Sequence, residues 1–115
     1  MKKKQNKGFE KHEQGVEELV QRLMASGKFD SVKENIHYNV GGVNGQVDAM
    51  ATIRVENEQP HYTLNYFYEV KSSYTRKSLN RAIEQYRRFK SVHPKMRMEG
   101  YIVTPSKIER LDNLL

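Results

Sequence analysis

Tyr66-Phe67-Tyr68-Glu69-Val70-Lys71-Ser72-Ser73 is the stretch whose reading decides the fold. Its aromatic and branched residues favour a strand, and the nearly continuous apolar run predicts a central strand covered on both faces. The run ends in a carboxylate and an amine two residues apart. Side chains at i and i+2 of a strand point to the same face, so Glu69 and Lys71 stand together at one strand end. Upstream, Gly45-Gln46-Val47-Asp48-Ala49 is a second strand-like run that carries one acid.

Working outward, Ile36, Tyr38 and Val40 alternate as in a strand, and the turn-forming run 41–45 follows with an Asn-Gly pair. The next strand spans residues 46–55. Alternation puts Val47, Ala49, Ala51, Ile53 and Val55 on one face and Gln46, Asp48, Met50, Thr52 and Arg54 on the other. A polar loop, 56–60, closes on Pro60, and the aromatic strand runs over 62–72. Before these strands, Phe9, Val16, Leu19, Val20, Leu23 and Met24 recur at helical spacing, which predicts a helix over 9–26 ending at Gly27. Gly15 inside it marks close packing or the close approach of a ligand.

After the central strand a helix starts at Ser78 or near Thr75 and reaches about Lys90. Its apolar stripe is Leu79, Ala82, Ile83, Tyr86 and Phe89. A short strand over 100–104 ends at Pro105. A last short helix is expected over 106–115, with Ile108, Leu111 and Leu115 on one side. The helix between the third and fourth strands permits a parallel crossover. The fold class is therefore α/β, a mixed central sheet flanked by helices, in one domain over 9–115 behind a flexible basic arm, 1–8.

The charge balance is +6, with a pI near 9.5. Basic domains of this size meet polyanions, because Lys and Arg displace counterions condensed on phosphates. Lys2, Lys3, Lys4 and Lys7 make the arm basic. Eight Lys or Arg against the single acid Glu84 make the segment 76–97 basic. With no cysteine, disulfides and thiolate-held zinc are excluded. No apolar run has the length of a membrane span and no secretory signal is legible, so no membrane partner and a cytoplasmic location are expected, the host cytoplasm for a viral protein. His12, His37, His61 and His93 show no metal-ligand spacing and read as surface or packing residues.

An acid on one strand, followed by Glu-x-Lys at the end of the next, resembles the PD-(D/E)XK nuclease superfamily. Over residues 9–104 the helix, hairpin strands, Glu-x-Lys strand, helix and strand also follow that order. The resemblance implies a restriction-endonuclease-like αβββαβ core. It is strongest to the small archaeal-type and viral-type Holliday junction resolvases, which carry an acid before an apolar helix face. Glu13, followed by Val16, Leu19 and Val20, matches that acid; Glu17 is the second choice. The family's Pro-Asp is here Val47-Asp48. The family's second helix presents a basic or glutamine side chain to the site, which Arg81 or Gln85 would supply.

The chemistry fits these residues. Magnesium prefers carboxylate, carbonyl and water oxygens and takes one or two protein carboxylates. Asp48 and Glu69 supply them, the Val70 carbonyl is a third ligand, and Lys71 orients the attacking water. The expected cofactor is Mg2+, with Mn2+ able to substitute. The expected activity is a metal-dependent DNA endonuclease. The resemblance makes branched DNA the leading specific substrate and implies a homodimer. Ser72, Ser73, Tyr74, Arg76, Lys77, Arg81, Gln85 and Arg88, with the lysine arm, are the expected nucleic-acid contacts. A catalytically inactive nuclease fold that binds nucleic acid is the alternative, and a small interaction protein with incidental charge is a third reading.

Overall fold

The computed structural model describes residues 7–115, with side chains from Lys11 onward. Lys2, Lys3 and Lys4 of the expected arm lie outside the described residues, as does the side chain of Lys7. Helix α1 spans Lys7–Ala25, so residues 7 and 8 belong to the helix rather than to the arm. Strands β1 (Ser31–Val40), β2 (Val43–Val55) and β3 (Tyr62–Val70) follow as an antiparallel meander. Helix α2 (Arg76–Val92) then crosses to β4 (Arg97–Val103), which lies parallel to β3. The fold is α/β with an αβββαβ core and a mixed five-stranded sheet in the order β1-β2-β3-β4-β5.

The expected C-terminal helix over 106–115 does not form. In its place β5 (Ile108–Arg110) pairs antiparallel with β4, and a single 3-10 turn covers Asp112–Leu114. The apparent stripe fails because its members do not share a core: Leu111 is buried, while Ile108 and Leu115 are exposed. The open edge of β4 offers ladder bonds that this short segment takes instead. Asp112 fixes it there. Its carboxylate accepts from Tyr86 Oη at 2.7 Å, the Gly100 amide at 2.8 Å and Arg110 Nε at 3.2 Å. Burial raises the Asp112 carboxyl pKa, but these donors outweigh it and hold the group below its ordinary range.

Two cores sandwich the sheet. On one face Val47, Met50, Phe67 and Ile102 pack under Ala82, Tyr86 and Phe89 of α2. On the other, Ala49, Ala51, Tyr68 and Val70 pack under Val16 and Leu19 of α1. β3 is the middle strand, and Phe67, Tyr68, Glu69 and Val70 are all buried, as a strand covered on both faces should be. Thr75 caps α2 with Ser78 in a reciprocal capping box.

The expected facing of β2 needs correction. Strict alternation puts Val47 beside Ala49 and Ala51, yet Val47 packs toward α2 and the two alanines toward α1. The pleat breaks at Asp48. The ladder pairs Glu34–Ala49 and Ile36–Val47 flank the break, and between them Asn35 takes a φ of +52°. The irregularity frees Asp48 to leave the regular face pattern.

Gly100 lets α2 lie against the sheet. A Cβ there would stand 2.5 Å from the Tyr86 ring, which is fully buried and cannot give way cheaply. Gly100→Ala is therefore expected to lower unfolding stability by about 1–3 kcal/mol, the cost of overpacking a filled core. Urea denaturation measures it.

Candidate metal centre

Where β2 parts from β3, a side chain replaces a backbone acceptor. The β2–β3 pairing runs out at Ala49 and Tyr68. Beyond it, the Val70 amide donates to Asp48 Oδ2 at 2.8 Å. In an extended strand the amide and carbonyl of one residue face the same neighbour. The Val70 carbonyl therefore faces the Asp48 side as well. Asp48 is 5% exposed and Glu69, one residue before Val70, 2%.

Glu69 is the strained member. Its Oε1 is buried without a hydrogen-bond partner, and its Oε2 stands 3.8 Å from Lys71 Nζ. Burial first, and then the neighbouring Asp48 carboxylate, push the Glu69 pKa well above the ordinary carboxylate range; the Lys71 ammonium opposes them. Two carboxylates and one ammonium thus meet at the C-terminal end of β3, as the Glu-x-Lys spacing predicts. The donor set fits magnesium. It offers two carboxylates, a strand-end carbonyl and a buried carboxylate oxygen without a donor, which a cation, a water or a proton shared with Asp48 would satisfy. No cluster of three His, Cys, Asp or Glu occurs among the described residues in an arrangement suited to a metal.

The opening helix contributes a residue that the sequence reading set aside. His12 Nε2 lies 3.2 Å from Asp48 Oδ2, and its Nδ1 lies 3.7 Å from Glu13 Oε1. Glu13 approaches the centre through His12, not directly, while Glu17 is exposed. Nothing in the spacing of His12 announces this, because its partner sits on a strand more than thirty residues later. The one local signal is that His12 precedes Glu13, on the same flank of the helix as Gly15. A Cβ at Gly15 would meet Val70 Cγ1 at 3.1 Å, so the glycine brings α1 onto the strand end that carries the site.

The expected nucleic-acid contacts divide. Arg76, Lys77 and Arg81 are exposed on α2. Arg88 is half-buried and paired with Glu84 at 2.8 Å. Gln85 is half-buried with its side-chain oxygen buried and unpartnered, so of the two residues weighed for the second helix it is the inward one. Ser72 and Ser73 are exposed beside Lys71. Tyr74 is committed elsewhere: its hydroxyl bonds to Glu109, and Lys107 Nζ lies 3.8 Å from its ring centre. It also packs against the α2 core. A cleft of about 390 Å³ opens between α1 and the ends of β3 and β4, with His12 and Lys71 in its wall. No helix among the described residues is long and apolar enough to cross a membrane.

No family model matches the chain, and no curated protein matches it. A solved structure described as "Crystal Structure of Protein of Unknown Function AF1548" is similar, with a TM-score of 0.49 and 24% identity. The match covers 81% of this chain and 46% of that one, so this chain spans less than half of that protein's length. It names no activity.

The raised Glu69 pKa carries a pH signature. A carboxyl whose folded pKa lies above its unfolded value of 4.5 binds its proton more tightly in the folded chain. Its stabilising contribution is full below pH 4.5 and is lost as pH rises through the folded value. In EDTA, Glu69→Gln should match wild type in stability near pH 4.5 and exceed it at pH 8. Denaturation across that range reads the difference.

Proposed function

We propose that the protein is a metal-dependent DNA endonuclease of the PD-(D/E)XK kind. The observation that supports this most is the pairing of Asp48 with a buried Glu69 whose Oε1 has no protein partner, with Lys71 beside them. Burying two acids together is costly, and a stability role alone would favour an apolar pair. A divalent cation removes that cost.

Asp48, Glu69 and the Val70 carbonyl would hold Mg2+ or Mn2+, with water in the remaining positions. When bound, the ion supplies Lewis-acid stabilisation of the phosphate and a water of increased acidity. Lys71 orients the attacking water and offsets negative charge as the phosphorus gains its fifth oxygen. The attacking water gives up a proton to solvent as its oxygen bonds to phosphorus, one ester P–O bond breaks, and the leaving alkoxide takes a proton from solvent. His12 fixes Asp48, and Glu13 steadies His12, so the opening helix acts on the ligand set by positioning.

Charge placement supports a nucleic-acid substrate. Arg76 and Lys77 occupy the first turn of α2, which holds no acid. Cations at a helix N-terminus oppose its dipole by about 0.3–1 kcal/mol each, a penalty that a nearby phosphate reverses. Arg81 extends this surface, and Gln85 faces inward from the same helix. Branched DNA is the leading specific substrate, and symmetric cleavage of it would take two copies of the chain.

Incubation with plasmid and with four-way junctions, in Mg2+ and in EDTA, tests the reading. Cleavage is expected in Mg2+ alone, with Asp48→Ala and Lys71→Ala each slower by at least 100-fold. Undiminished cleavage by Lys71→Ala, or none by wild type, would sink it. Salt-sensitive DNA binding without cleavage, unchanged by Asp48→Ala, would instead mark a binding module.

A further inference from the structure

We propose that the cleft beside the metal centre is a subsite for one unpaired nucleotide next to the scissile phosphate. The proposal rests on the nuclease reading of Asp48, Glu69 and Lys71. The cleft holds about 390 Å³, within the range of pockets that enclose small ligands. It lies outside the carboxyl ends of β3 and its parallel neighbour β4, between them and helix α1. Ligands gather at such strand ends in open α/β sheets.

Three features of its wall select a nucleotide over a bare anion. The helical repeat sets Lys11, Gly15, Glu18 and Arg22 along one flank of α1, so cations stand at both ends of the cleft. Lys71 adds a third cation where the cleft meets the metal centre. Between them Leu19, Val70 and Val103 give an apolar floor, on which a base has a face to bury. Gln14, Ser72 and the exposed acid Glu18 supply neutral and anionic groups for a base edge or a sugar hydroxyl, which an inorganic ion does not need. The same residue, Gly15, that lets α1 reach Val70 also lines the cleft.

A base can enter only after leaving its stack, at a cost of a few kcal/mol in a duplex and much less at a junction, flap or mismatch. The subsite therefore favours DNA with an unpaired nucleotide at the cut over intact duplex. It assigns to α1 a role in substrate choice, distinct from the phosphate tracking of α2.

The test uses the full chain in EDTA, titrated separately with deoxyadenosine monophosphate and with inorganic phosphate, and followed by backbone amide NMR. The nucleotide should shift the amides of Gly15, Leu19, Val70 and Thr104 and saturate in the millimolar range. Phosphate at equal concentration should leave the Leu19 and Val70 amides in place. The double variant Lys11→Ala/Arg22→Ala, at exposed positions, should weaken binding at least five-fold, and Gln14→Trp should block it. Absence of these shifts, equal shifts with phosphate, or binding unchanged in both variants overturns the subsite. Cleavage without nucleotide binding overturns it and leaves the nuclease standing. Binding without metal-dependent cleavage supports the subsite and sinks the nuclease reading.

Discussion

The bond from the Val70 amide to Asp48 Oδ2 organises the site. A regular antiparallel pair would use a backbone carbonyl at that position. Here β2 has turned out of register with its own pleat, and a side chain closes the ladder instead. That substitution does three things together. It stops β2 from covering the end of β3, it holds an acid beside Glu69, and it satisfies an amide that would otherwise be buried and unpaired. The left-handed Asn35 on β1 and the reversed facing of Val47 belong to the same local break.

The energetic tension then falls on Glu69. It sits on the most buried strand, between two helical layers, with one oxygen unpartnered and an acid for a neighbour. Lys71 relieves part of this from 3.8 Å, the reach that the i and i+2 spacing sets. The rest of the chain is built to tolerate the cost. Tyr86, Gly100 and Asp112 lock α2 and the C-terminal hairpin onto the sheet, and Gly15 brings α1 down onto Val70, the residue after Glu69. A rigid scaffold around a strained group is the arrangement expected of a functional site.

What the sequence made legible followed from period and spacing. The meander, the crossover helix and the central strand came from alternation and helical repeats, and Glu69 and Lys71 from their two-residue separation. Asp48 was legible as an acid in a strand and as a neighbour of Glu69 and Val70, but the pleat break at it was not, because strict alternation carries no sign of where a strand changes face. His12 was missed for a similar reason: it acts on a residue that only tertiary packing brings near. The C-terminal segment misled because its apolar spacing fits a helix, whereas the open β4 edge and the Asp112 bonds decide a strand and turn. The partners of Tyr74, Glu109 and Lys107, lie more than thirty residues away in sequence and were not legible there.

The central claim is that Asp48 and Glu69 form one cation site. Anomalous scattering from crystals soaked in Mn2+ tests it most directly. The account predicts a single strong peak shared by the Asp48 and Glu69 carboxylates, on the side that the Val70 carbonyl faces, with Glu69 Oε1 now coordinated; the peak should vanish in Glu69→Gln. No peak there, with Glu69 Oε1 still unpartnered at saturating Mn2+, would contradict it.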